Sequence, residues 1–152
     1  MAVHVSRSNE PLDSAKLWGT MKLESNGVRT TLIHALMHTR GMIARPWRRD
    51  LMLGAVETAD GVNIVMKADS DWSGRLVFDR PRYRVYMGFN KNWPRMNTLP
   101  EWFTVEADEQ YMLTNLTTGD ETSHTGKLLH KGVSVQIPAG VEVRLQLRPA
   151  EH

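Results

Sequence analysis

At 152 residues the chain fits one domain, and its 41% hydrophobic and 24% charged content is ordinary globular usage, which excludes disorder throughout. It has no cysteine, which excludes disulfides and thiolate metal sites, and no apolar run of the roughly 20 residues a membrane-spanning helix needs. A net charge of +2 is only mildly basic, below that of a dedicated nucleic-acid binder.

Residues 1–16 are polar, contain Pro11 and show no period, so they are expected as a flexible arm or linker ahead of a single domain over 17–149. They lack the apolar core of a secretory signal. The sequence as it stands is therefore expected in the cytoplasm, or outside the cell if it belongs to a larger exported protein.

Around Asn26-Gly27, a type I′ turn dipeptide, Leu17, Gly19, Met21 and Leu23 alternate with Trp18, Thr20 and Lys22, and Val28–Met37 follows as a return strand. The competing reading is an amphipathic helix over about 29–40, stopped by Gly41. GMIARPWRRD reads as a loop with Pro46, LMLGAVET as a strand, Asp60-Gly61 as a hairpin turn and VNIVMKA as its return. DWSG reads as a turn and RLVFD as a short strand with Leu76 and Phe78 on one face. RYRVYMGF alternates, which places Val85, Met87 and Phe89 inward on a strand. NKNWPRMNTLPEW has no period and reads as a long loop, while WFTVEA and QYMLTNL read as strands separated at Asp108-Glu109.

The C-terminal pattern is the clearest. Val133, Val135 and Ile137, then Val141, Val143, Leu145 and Leu147, alternate with polar residues across Pro138-Ala139-Gly140. The expectation is a hairpin with one face buried and one wet. Strands this short and evenly spaced make the fold class all-β, an antiparallel β-sandwich or jelly roll. Most of the nine methionines are expected to fill gaps in its core.

Chemistry-bearing residues are fewer. His34 and His38 could share a metal only on a helix, since in a strand four steps separate them by about 13 Å. No metal or cofactor is expected. In RPRYRVYMGFNKNWPR, Arg80, Arg82, Arg84, Lys91 and Arg95, with Arg75 nearby, interleave with Tyr83, Tyr86, Phe89 and Trp93. Aromatic rings set among arginines suit a sugar-binding surface, where a ring stacks on a pyranose and Arg or Asn bonds hydroxyls or carboxylates. They also suit single-stranded nucleic acid, which the low net charge disfavours, or plain core and outer face. Asp79, Glu101, Glu106, Asp108 and Glu109 are acid/base candidates by type alone, with Asp108 and Glu109 expected in a solvated turn. Asn115-Leu116-Thr117 fits a glycosylation acceptor. There is no phosphate-binding loop and no nucleophile elbow.

DWSGRLVFDRPRYR followed by NWPRMNTLPEWFTV resembles a β-rich segment associated with bacterial polysaccharide-degrading enzymes. TGKLLHKGVSVQIPAGVEVRLQL is similar to the last strands of the antiparallel sandwich that follows the catalytic domain in many glycoside hydrolases and polysaccharide lyases. The resemblance spans about residues 71–148 and implies an accessory domain without a catalytic barrel. The expected function is a non-catalytic sandwich that binds glycan or anionic polysaccharide, or packs on a partner domain or a second copy of itself. Arg82, Tyr83, Tyr86, Trp93, Arg95, Asn97 and Trp102 are the ligand-binding candidates. The alternative is a small lyase-like enzyme, with a tyrosine as base and Arg82, Arg95 or Asn97 neutralising a substrate carboxylate.

Overall fold

A computed structural model of the chain describes residues 35–91 and 102–150. Among these, eight strands form two antiparallel sheets. The strands are β1 (Ile43–Arg45), β2 (Leu51–Thr58), β3 (Gly61–Ala68), β4 (Trp72–Val77), β5 (Gln110–Asn115), β6 (Glu121–Thr125), β7 (Val133–Ile137) and β8 (Glu142–Pro149). One sheet runs β1-β4-β7 and the other β2-β3-β8-β5-β6. The pairs β5–β6, β4–β7 and β3–β8 are nested in sequence and fall on alternate sheets. That is the jelly-roll way of folding one long antiparallel ribbon over itself, and the all-β sandwich expected from the sequence is the architecture found.

The C-terminal strands do not form the hairpin that their alternation suggests. β7 pairs with β4, whereas β8 lies between β3 and β5 in the opposite sheet. Val133, Val135 and Ile137 therefore line one wall of the core, and Val143, Leu145 and Leu147 the other. Alternation fixes which face is buried but not which strand supplies the hydrogen bonds, and both sheets bury one face here. The Pro138-Ala139-Gly140 corner crosses between sheets. It is tied to the β3–β4 turn by Gly140 N–H to the Ala68 carbonyl (2.8 Å) and Ala139 N–H to Asp71 Oδ1 (2.8 Å). Val141 lies on that corner and is 44% exposed, so it leaves the buried set.

The same end is closed by Trp72, buried, whose Nε1 donates to the Pro46 carbonyl (2.9 Å). Arg48 bridges the loops by bonding Asp50 (2.7 Å), Ser70 and the Asp71 carbonyl. Hydrogen bonds from Arg48 first, and then from Ser70, hold the Asp50 carboxyl down at about 2.

Other local expectations change. Ile43–Arg45 is a strand rather than part of a loop, and Trp72, Ser73 and Gly74 belong to β4 rather than to a turn. Both become strands because the three-stranded sheet supplies a partner that sequence period cannot reveal. The return strand expected over Val28–Met37 does not reach its end, because residues 35–38 are helical. That helix stops where Gly41, at φ +79°, donates to the Leu36 carbonyl (2.8 Å), as the helix reading anticipated. The Asn26-Gly27 turn and the rest of that segment lie outside the described residues.

RYRVYMGF is not a strand. Arg82–Val85 forms a single helical turn, α1, entered through Pro81 at φ −67° and closed by Val85 N–H to the Pro81 carbonyl (3.0 Å). Val85 and Met87 are consequently exposed and Phe89 half-buried. WFTVEA joins neither sheet as a strand and is held by a parallel bridge between Thr104 and Asp79 and by single hydrogen bonds, while QYMLTN is β5 as expected. The strand β6 and a further short helix, α2 (Gly126–Lys131), were not anticipated. β6 reads Glu-Thr-Ser-His-Thr and carries no hydrophobic alternation.

Candidate functional site

Two segments meet at the end of the sandwich opposite Trp72: the chain leaving β4, residues 78–89, and the chain entering β5, residues 102–109. Val105 N–H donates to the Asp79 carbonyl (3.0 Å), and Phe103 N–H to that of Arg40 (3.0 Å). α2 braces the second segment from below. Gly126 N–H donates to the Glu109 carbonyl and Lys127 N–H to the Ala107 carbonyl, both at 2.9 Å. His130 Nε2 lies 2.9 Å from the Val105 carbonyl, and because that oxygen can only accept, Nε2 carries the proton.

This frame sets the positions of the candidate side chains. Arg82 Nε donates to Asp79 Oδ2 (2.7 Å), and its guanidinium lies 4.8 Å from the centre of the Trp102 ring. Trp102 in turn packs on Gly41, where an added Cβ would come within 3.3 Å of the indole. Arg84 donates to Glu106 Oε1 (2.9 Å) and to the Tyr83 hydroxyl (3.0 Å), and lies 5.5 Å from the Tyr83 ring centre. The Tyr83 hydroxyl, and next the Glu106 charge, hold the Arg84 guanidinium above its ordinary pKa. Each of these cations thus has its own carboxylate.

Tyr86, 66% exposed, projects from the end of α1 beside Val85 (52%) and Met87 (46%). Arg82 and Trp102 are brought together, Tyr83 packs with Arg84 on the same turn, and Tyr86 follows at its end. Trp93, Arg95 and Asn97, and Glu101, lie outside the described residues. The described tryptophans do not make one surface: Trp72 is core, Trp47 is 58% exposed just beyond β1, and Trp102 packs on Gly41 just before it.

The carboxylates are distributed. Asp79 and Glu106 serve the arginines, and Asp108 pairs with Lys127 in an exposed turn (2.7 Å), which lowers the Asp108 carboxyl and raises Lys127. Glu109 accepts from the Tyr111 hydroxyl (3.2 Å), which itself accepts from Glu106 N–H (2.8 Å). Asn115 Oδ1 accepts from Thr117 and Thr118 N–H, so the glycosylation-like triplet forms a closed turn. Among the described residues no three His, Asp or Glu groups are placed to hold a metal ion, and no helix is long and apolar enough to cross a membrane.

Burial, and then the Glu109 charge, push the Tyr111 hydroxyl up to about 12. The fold favours its neutral form, so this contribution to stability is complete below pH 10 and lost as pH rises towards 12. Absorbance titration is expected to show Tyr111 ionising near pH 12, with a parallel loss of stability between pH 10 and 12. Ionisation of Tyr111 near its ordinary value of about 10 would contradict the buried Tyr111–Glu106–Glu109 arrangement.

The sequence did not single out Arg45, Ser73, Ser134 or Gln136, which the three-stranded sheet places on one outward face beside Arg75. The signal was hidden because β1 and the start of β4 read as loop and turn. No protein-family model matches the chain, and no curated protein matches it either.

Proposed function

We propose that this protein is a non-catalytic β-sandwich that binds glycan, with the α1 turn as a contact surface. The observation that carries this reading is the exposure of Tyr86 on a turn fixed by two arginine–carboxylate pairs. A ring held on a rigid element can stack on a pyranose with little loss of side-chain freedom. The neighbouring Arg84 and Glu106 offer a donor and an acceptor for hydroxyls. Because Arg82 and Arg84 are already neutralised, this turn suits a hydroxyl-rich ligand better than a run of phosphates.

Val85 and Met87 favour a second role, packing of the same turn on a partner domain. That role agrees with the resemblance to accessory sandwiches of polysaccharide-active enzymes. Affinity electrophoresis through gels cast with a panel of polysaccharides tests the glycan reading. At least one polysaccharide should retard the protein, and Tyr86→Ala should weaken that retardation at least fivefold with an unchanged circular-dichroism spectrum. No retardation by any member, or full retention by Tyr86→Ala and Tyr83→Ala, would sink it.

A further inference from the structure

The three-stranded sheet presents an outward face of unusual charge. β1 and β4 pair so that Arg45 stands directly opposite Arg75. Their neighbours Ala44 and Leu76 are buried, so both arginines point away from the core, and both are exposed. Side chains directly opposed across antiparallel strands have Cβ atoms about 5 Å apart, and like charges in that position destabilise a sheet.

Five other arginines of the fold are compensated. Arg48, Arg82, Arg84, Arg144 and Arg148 each have a carboxylate within 3.4 Å. Among the described residues, neither the Arg45 nor the Arg75 side chain has an ion-pair or hydrogen-bond partner. On β7, Ser134 lies opposite Arg75 and Gln136 opposite Ser73, and all three of these uncharged polar residues are exposed. No strand of this sheet contributes an Asp or Glu. The face thus holds two uncompensated guanidinium groups among hydroxyls and an amide. Exposed Trp47 lies beyond Arg45 at one end, and the Asp79–Arg82 pair follows β4 at the other.

We propose that this face binds an acidic polysaccharide, with Arg45 and Arg75 taking its carboxylates and Ser73, Ser134 and Gln136 bonding its hydroxyls. A guanidinium grips a carboxylate through two parallel hydrogen bonds, and a bound anion between the two arginines relieves their repulsion. From Ser73 to Val77 the strand offers about 13 Å of contact at its usual rise. The two cations stand side by side across the strands, with Ser73, Ser134 and Gln136 next to Arg75, so they offer a uronate carboxylate a paired grip and its hydroxyls neutral partners. A polyphosphate chain would call for a longer track of unpaired cations than the face and the neutralised Arg82 and Arg84 supply. The ligand class rests on the glycan reading above, but the surface and its residues are separate from the Tyr86 turn.

The test is affinity electrophoresis and titration calorimetry of the full chain with polygalacturonate, a neutral galactan and an oligo-dT strand. Polygalacturonate is expected to bind best, with its affinity falling with salt at a log–log slope of about −1 to −2, as for two neutralised charges. R45Q and R75Q should each weaken it at least tenfold, while the thermal midpoint of R75Q stays level or rises by about 1–3 °C as repulsion is relieved. Unchanged polygalacturonate binding by both variants would overturn the proposal, as would tighter binding of oligo-dT. Tyr86-dependent binding of the neutral galactan with no preference for polygalacturonate would overturn this inference and leave the glycan reading standing. Failure of every polysaccharide to bind would end both.

Discussion

Leu147→Ala is expected to lower the unfolding free energy by about 2–5 kcal/mol, the cost of removing a fully buried leucine and leaving a cavity behind. Leu147 is fully buried in β8, paired in register with Val62 of β3 on one side and Leu113 of β5 on the other. With both neighbours fixed in the same sheet, the site has little freedom to collapse. Val141→Ala is the internal comparison, because Val141 shares the apolar alternation but sits exposed at the corner between sheets. Its expected cost is within about 0.5 kcal/mol. Urea unfolding of both variants, with a common m-value, checks the contrast. Equal losses would mean that Val141 lies in the core and that the corner is drawn wrongly.

Gly126→Ala should cost about 2–3 kcal/mol for a different reason. A Cβ at this position would overlap the backbone carbonyl oxygen of Glu106 and approach the Ala107 Cα. Backbone cannot rotate aside as a side chain can, so the brace between α2 and residues 105–109 has to open. Its bonds are Gly126 N–H to Glu109, Lys127 N–H to Ala107 and His130 to Val105. Displacing Glu106 also disturbs the bond its N–H donates to the Tyr111 hydroxyl and admits water there. Tyr111 should then ionise below about 12, moving towards its ordinary value near 10. A stable Gly126→Ala protein with unaltered Tyr111 titration would contradict the tight approach.

Much of the sandwich is legible in the sequence because one-sided burial leaves a period-two record. LMLGAVET becomes β2 and VNIVMKA becomes β3, joined by a tight turn one residue earlier than expected, at Ala59-Asp60 with Gly61 opening β3, and QYMLTN becomes β5. Partner choice is not written in that record. Val133–Leu147 reads as a hairpin, yet its two strands face each other across the core. Strands without alternation escape altogether: β1 is three residues, and β6 is wholly polar because it is an outer strand of its sheet. RYRVYMGF has the alternation but no strand beside it, and Pro81 with the Asp79–Arg82 pair turns it into α1.

The candidate surface divides in the same way. Composition located the aromatic and basic residues of the α1 turn, and Arg82 does meet Trp102 while Tyr83 meets Arg84. It could not say that Asp79 and Glu106 neutralise the arginines there, since the ion pair of Arg84 joins residues 22 apart in sequence. Nor could it place Arg45 against Arg75, a relation that exists only through strand register.

Backbone amide shifts followed by NMR while a polysaccharide is titrated in test the binding account most directly. The account predicts shifts at Arg82–Val85 and Tyr86, and, with polygalacturonate, at Arg45, Ser73, Arg75, Ser134 and Gln136. Residues on the outward face of the five-stranded sheet, such as Arg144 and Arg148, should stay still. Shifts confined to that opposite face, or none with any polysaccharide, would contradict it.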